Sequence, residues 1–171
     1  GGYEIYLQEP DSGVTLWDTL AAAGEDLQVR AGCPNLIERI ESGLLSYGND
    51  MTLDNNPLEA GLDRFFKLGK SADYLGRAAL EAIAEEGVTH RLVKLVIAGE
   101  PVPNPRTVYT IQGAAGENIG TVTSAVYSPR LNQNIGFGYL PVDSCEKGSR
   151  AVVITPEGAR ELWVADNDWS S

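Results

Sequence analysis

The sequence predicts an α+β protein, with a helix-bearing portion to about residue 90 followed by a β-rich module. Three observations carry this. Apolar residues recur at helical spacing in three segments of the first half. Six short β-prone runs follow in the second half at close spacing. Nineteen glycines and nine prolines supply turns.

Taken in order, Tyr3–Leu7 alternates, with Tyr3, Ile5 and Leu7 on one face and Glu4 and Tyr6 on the other, as a strand would. Pro10-Asp11-Ser12-Gly13 is a turn cluster. Residues 14–23 read as a helix, with Trp17, Leu20 and Ala21 at helical spacing and Gly24 as its stop. Asn35 caps a second helix, and Glu38 three residues on completes a capping-box pattern. Leu36, Ile37, Ile40 and Leu44 form its apolar stripe, while Glu38, Arg39 and Glu41 fall on other faces. Asp73 is placed to cap a third helix that runs to Glu86 and stops at Gly87. Strands are expected at 91–97, 107–111, 119–126, 135–140, 151–155 and 161–165, with Pro101, Pro103 and Pro105 making a stiff connection. Six short strands at this spacing suit a small barrel or a sandwich.

A chain of 171 residues is long enough for a real core. Its net charge of −11 argues against nucleic acid and anionic membrane as partners, since both need clustered Lys and Arg. No apolar run approaches the ~20 residues that span a bilayer. Cys33 and Cys145, 112 positions apart by number, make neither a disulfide framework nor a zinc spacing. They read as two reduced thiols of a cytoplasmic protein. The start at Gly1-Gly2, running straight into a strand-like segment, suggests a chain that begins in the middle of a larger protein.

Several catalytic patterns fail. The single histidine, His90, has no nucleophile motif beside it. Gly69-Lys70-Ser71 resembles the end of a phosphate loop, but Arg64 stands where its first glycine belongs. Gly136-Phe137-Gly138 is followed by Pro141 in place of a third glycine, so the pair reads as a place where another segment approaches closely. What remains is the Glu4–Tyr6 pair. A carboxylate there can accept two N–H donors side by side, as an amino-pyrimidinone offers, with a phenol next to it. From spacing alone, Glu4 reads as an ordinary solvent-face carboxylate of an edge strand, and Arg39 as a surface partner of Glu38 and Glu41.

Six blocks in order then resemble one family. Gly1-Gly2-Tyr3-Glu4-Ile5-Tyr6 is similar to the glycine–aromatic–Glu–aliphatic segment of the folate-dependent aminomethyltransferases, the glycine cleavage T-protein family. Residues 37–50 (IERIESGLLSYGND), 56–62 (NPLEAGL), 73–80 (DYLGRAAL), 120–124 (GTVTS) and Ser128-Pro129 follow that family's pattern. One departure is informative: Pro34-Asn35-Leu36 stands where the T-protein pattern has Ala-Arg-Asp. Residues 37–47 and the Gly-Gly-Tyr-Glu-Ile-Tyr opening look instead like the dimethylsulfoniopropionate demethylase branch.

The resemblance implies a ferredoxin-like α/β portion followed by a small C-terminal β-barrel. It assigns residues 1–90 to the α+β portion of the folate-binding domain and residues 91–171 to the barrel domain. It implies tetrahydrofolate as cofactor, a small-molecule methyl donor as partner, and the N-terminal half of the same protein as the other wall of the pocket, so that this chain alone would be inactive. By the same resemblance Glu4 binds the folate pterin, Tyr6 lines that pocket and Arg39 lies near it. The resemblance reverses the plain reading of Glu4 and softens that of Arg39; the catalytic groups belong to the absent half. The expected reaction is demethylation of dimethylsulfoniopropionate to give 5-methyltetrahydrofolate. The alternatives are aminomethyl transfer in the glycine cleavage system and a non-catalytic folate-binding module.

Overall fold

The structure, a computed structural model, describes residues 3–32, 35–103 and 108–169. It is α+β and ends in a barrel, as the sequence predicts. Two compact units are present, Gly1–Pro34 and Asn35–Ser171.

In the first unit a 3-10 turn at Pro10–Ser12 leads into helix α1, Gly13–Ala23. The helix stops at Gly24, whose N–H bonds back to the Leu20 carbonyl. The expected strand at Tyr3–Leu7 is not formed. Alternation prepares a strand, but a strand exists only where a neighbour completes its hydrogen-bond ladder, and no described residue pairs with this segment.

The second unit opens with α2, Leu36–Glu41, capped as expected: the Asn35 side chain accepts the Glu38 N–H at 2.9 Å. α2 is short because Gly43, at φ 74, turns the chain. Leu44 therefore leaves the helix and is exposed, while Ile40 alone of the stripe is fully buried. Helix α3, Arg77–Glu86, begins later than predicted. Among the described residues Asp73 binds only the adjacent Tyr74 N–H, and Gly76, left-handed at φ 84, takes the cap position. Gly87 ends α3 as expected.

Six strands follow: β1 His90–Ile97, β2 Tyr109–Gln112, β3 Asn118–Ser128, β4 Gln133–Pro141, β5 Arg150–Thr155 and β6 Gly158–Val164. They close in the order β1-β4-β3-β2-β5-β6, every pair antiparallel. Of the barrel and the sandwich, the barrel is what forms, and closure leaves no free edge. Each predicted strand is present within a few residues; Thr107, its second expected start, and Pro105 lie outside the described residues.

Leu95, Ile97, Ile111, Val122, Leu140, Val153 and Leu162 fill the barrel interior. A second cluster gathers Ile40 of α2, Val96 of β1, Ile135 and Phe137 of β4, and Trp169. β1 is thus buried on both faces, which is why its run from Leu92 is nearly all apolar rather than alternating. Trp169 pins α2 to the rest of the unit, donating its indole N–H to the Glu41 carbonyl at 3.0 Å.

The glycines of β4 do what their spacing suggested. A Cβ at Gly138 would sit 2.5 Å from the Thr121 carbonyl oxygen and 2.6 Å from Leu95 Cδ1; one at Gly136 would collide with the Ser124 carbonyl. β4 therefore seats against β3 only because no side chain intervenes. Gly138→Ala is expected to cost about 2 kcal/mol and lower the melting temperature by roughly 4–8 °C. Gly13→Ala, which meets nothing within 4 Å, should leave it unchanged or slightly raised. Thermal unfolding of the two variants checks this.

Candidate functional site

Glu4 and Tyr6 lie in the first unit. Both are exposed, Tyr6 at 85%. The Tyr6 hydroxyl donates to Glu4 Oε2, and that bond, with a smaller effect of burial, raises the Tyr6 pKa above the usual phenol value. Glu4 has no other partner among the described residues, so its second oxygen and the outer lone pairs of the first stay available to N–H donors. Gly1 and Gly2, which open the same motif, lie outside the described residues.

Arg39 lies in the second unit, and its surroundings differ from those its neighbours in sequence suggested. It pairs with neither Glu38 nor Glu41. The turn at Gly43 and the following residues fold the chain back, and Arg39 Nη1 meets Asp50 Oδ2 at 2.6 Å and the Leu44 carbonyl at 2.9 Å. Nη2 donates to Ser124 Oγ at 2.9 Å. The guanidinium carbon stands 5.9 Å from the Phe137 ring centroid. Glu41 is held instead by Ser128 Oγ and by Arg130 at 2.7 Å, and the two lower its pKa.

Asp50 is completely buried and has a full set of donors. Beyond Arg39, its Oδ2 accepts the Ser46 backbone N–H at 2.9 Å. Its Oδ1 accepts Thr123 Oγ1 at 2.7 Å and Ser124 Oγ at 2.6 Å. Adjacent strand residues ordinarily point to opposite faces. Here the β3–β4 register shifts between Val122 and Ser124, and this bulge turns both hydroxyls to one carboxylate. The Tyr139 hydroxyl donates to the Asp50 carbonyl at 3.0 Å; burial, then the charges of Glu59 and Asp50, push its pKa up to about 12. Asp50, Thr123, Ser124 and Tyr139 were not singled out from sequence. The available signal was the adjacent pair of hydroxyls inside a strand otherwise expected to alternate.

The remaining reactive side chains are quiet. The Cys145 thiol donates to the Pro141 carbonyl at 3.2 Å, and burial pushes its pKa up, away from the nucleophilic form. His90 Nδ1 stands 3.1 Å from Thr89 Oγ1 at the start of β1. Cys33 lies outside the described residues. Among the described residues, no group of three or more His, Cys, Asp or Glu side chains could hold a metal ion. Among the described residues, no helix is long and apolar enough to cross a membrane.

The Arg39–Asp50 pair should behave as a buried one. Asp50→Asn leaves a largely covered guanidinium without its anion and is expected to cost about 3–5 kcal/mol in urea unfolding. Asp166→Asn, which removes the exposed pair with Lys147, should leave the urea midpoint nearly unchanged by comparison.

Comparison with known proteins agrees with this architecture. Residues 1–70 match the model of the GCVT N-terminal domain, and residues 90–165 that of the glycine cleavage T-protein C-terminal barrel domain. The chain is 44% identical over 169 residues to the dimethylsulfoniopropionate demethylase DmdA of Ruegeria pomeroyi, covering 99% of this chain and 45% of that protein. It is 38% identical over 156 residues to an aminomethyltransferase of Halothermothrix orenii, covering 90% of this chain and 42% of that one. The crystal structure of the glycine cleavage system aminomethyltransferase T of Bartonella henselae superposes with a TM-score of 0.71 at 25% identity, over 78% of this chain and 37% of that one. The chain thus spans less than half the length of these relatives. With two domain models matched in sequence order and a barrel where the second requires one, the chain belongs to the glycine cleavage T-protein family of aminomethyltransferases.

Proposed function

We propose that this chain is part of a tetrahydrofolate-dependent methyltransferase that demethylates dimethylsulfoniopropionate. The observation that carries the reading is its 44% identity, over nearly its whole length, to a protein described as that demethylase. The residues present suit a folate. Glu4 has an exposed carboxylate able to accept paired N–H donors from the pterin, and Tyr6 supplies a phenol beside it. Tetrahydrofolate, when bound, supplies the nitrogen that accepts the one-carbon unit. Glu4 orients the ring by its charge-assisted hydrogen bonds, and Tyr6 lines the pocket. Arg39, whose donors are engaged by Leu44, Asp50 and Ser124, acts as a positioning residue in this reading. Residues 1–90 are taken as the α+β portion of the folate-binding domain and 91–171 as the barrel domain. That division is supported by the spans of the two matched domain models.

A sulfonium methyl is already activated. Its displacement breaks the C–S bond and releases a neutral thioether, so no proton donor to the leaving group would be needed; the acceptor N–H proton would pass to water, and near-attack positioning supplies several kcal/mol of such a barrier. Aromatic faces can hold the cationic donor. An amine-linked one-carbon unit would need a proton donor as well. The second reading, aminomethyl transfer in the glycine cleavage system, is favoured by the names of the matched domain models and of the Halothermothrix relative. Against it stands Asn35, where the T-protein pattern has arginine.

Two measurements test the proposal. In titrations of the intact protein with reduced folate, Glu4→Gln should weaken binding by about 1.5–3 kcal/mol, as loss of a hydrogen bond to a charged group does. Equal affinities would remove Glu4 from the site. The intact protein and tetrahydrofolate are then offered the sulfonium compound, dimethylglycine or an aminomethyl-lipoyl carrier protein in parallel. Methylated folate is expected with the sulfonium alone. Methylene-folate and ammonia from the lipoyl carrier would favour the glycine cleavage reading instead.

A further inference from the structure

Within the second unit, a groove of about 580 Å³ opens between the turn after α2, the 60–64 turn, the outer side of β1 and the segment that follows β6. The volume falls in the ~300–1,000 Å³ range of small-molecule sites. Its walls are mixed: Leu45, Leu92 and Phe137 stand beside polar and charged groups that supply more than half of the exposed lining. Three basic side chains, Arg64, Lys94 and Lys147, and two acidic ones, Asp63 and Asp166, also line it; Lys147 is paired with Asp166, which leaves Lys94 and Arg64. Neither forms an ion pair among the described residues. The Lys94 ammonium donates to the Asn167 carbonyl at 2.6 Å and rests 4.7 Å from the Trp169 ring centroid. Those contacts hold it in place and leave donors unused. Arg64 stacks its guanidinium over Phe65, 4.6 Å from the ring centroid.

We propose that this groove binds a small organic monoanion, an apolar body carrying one carboxylate, with Lys94 and Arg64 as its charge partners. Two features support it. The ammonium is partly buried in a protein of net charge −11, yet among the described residues no carboxylate hydrogen-bonds it. The two cations also repel one another. Burial first, then the Arg64 charge, lowers the Lys94 pKa, against an upward pull from Asp168 and Asp166. An anion between the cations would relieve that repulsion. Asp166, the acid lining the groove nearest in sequence to Asn167, is already engaged, by Lys147 at 3.4 Å and by the Asn167 N–H at 2.7 Å. Leu45, Leu92 and Phe137 on the wall set the second requirement, a ring-sized body behind the carboxylate. The inference does not rest on the folate reading, since it uses none of Glu4, Tyr6 and Arg39.

The test is a titration of the intact protein with benzoate, followed by amide NMR. Benzylammonium serves as the charge-reversed control and inorganic phosphate as the anion without an apolar body. Saturable shifts are expected at Gly43, Gly61, Lys94 and Ala165 with benzoate and not with benzylammonium. Arg64→Gln should weaken benzoate about tenfold, the scale of one lost charge-assisted contact. Arg64 is exposed, so its variant keeps the wild-type melting temperature and the loss cannot be a folding effect. Lys94→Met should remove the shifts. Three results would each overturn the proposal: no saturable shift at the groove, unaltered benzoate affinity in Arg64→Gln, or phosphate binding as tightly as benzoate.

Discussion

The second unit is organised around one buried carboxylate. Asp50 brings a negative charge wholly out of water, which is tolerable only because four donors surround it. They come from three places: Arg39 of α2, the Ser46 backbone, and the Thr123–Ser124 pair of β3. A helix, the loop after it and the barrel wall are thereby held by a single group. Each donor also depends on a separate local feature. Gly43 turns the chain so that Asp50 can reach Arg39, and the bulge in β3 turns two adjacent hydroxyls the same way. Alteration of any of these features leaves the carboxylate short of a partner in a place water does not reach.

The barrel supplies the rigid half of this arrangement. β1 is buried on both faces, inward by the barrel interior and outward by α2, Phe137 and Trp169. The outer layer is sealed by polar contacts at its margin. The Trp169 indole bonds the Glu41 carbonyl, and the Glu41 carboxylate bonds Ser128 and Arg130. α2, six residues long, would not persist on its own propensity. Its cap, its ion pair and its place against the barrel make it a fixed element.

The motifs that resemble the aminomethyltransferases turn out to describe this same set of contacts. The stretch from Ile37 to Asp50 contains both halves of the buried ion pair. GTVTS contains the two hydroxyls that complete it. NPLEAGL is a capping box on a short turn: the Asn56 side chain accepts the Leu58 and Glu59 N–H groups, and the Glu59 carboxylate accepts the Asn56 N–H. That turn is then tied to β1 through the Leu92 N–H and the Glu59 carbonyl, at 2.8 Å. Much of the family pattern in this half of the protein is therefore a requirement of packing. The Glu4–Tyr6 pair is a different case: both side chains are exposed and neither supports a core.

Local properties of the chain were enough to determine the helices, the Asn35 cap, the stop at Gly87, the six strands and the close approach at Gly136 and Gly138. Each depends on the period of a side-chain pattern, a capping group or a missing Cβ, and these act over a few residues. Tertiary structure decided the rest. Tyr3–Leu7 has the alternation of a strand and no ladder, because pairing needs a second strand that local pattern cannot provide. Helical spacing places Arg39 beside Glu38 and Glu41, and it instead meets Asp50, eleven positions on by number. Thr123 and Ser124 share a face only because the register with β4 slips by one residue. Closure of the sheet into a barrel is likewise a matter of β1 reaching β6 across the length of the module. In each case the deciding partner is distant in sequence, and burial of charge and completion of hydrogen bonds, rather than periodicity, select it.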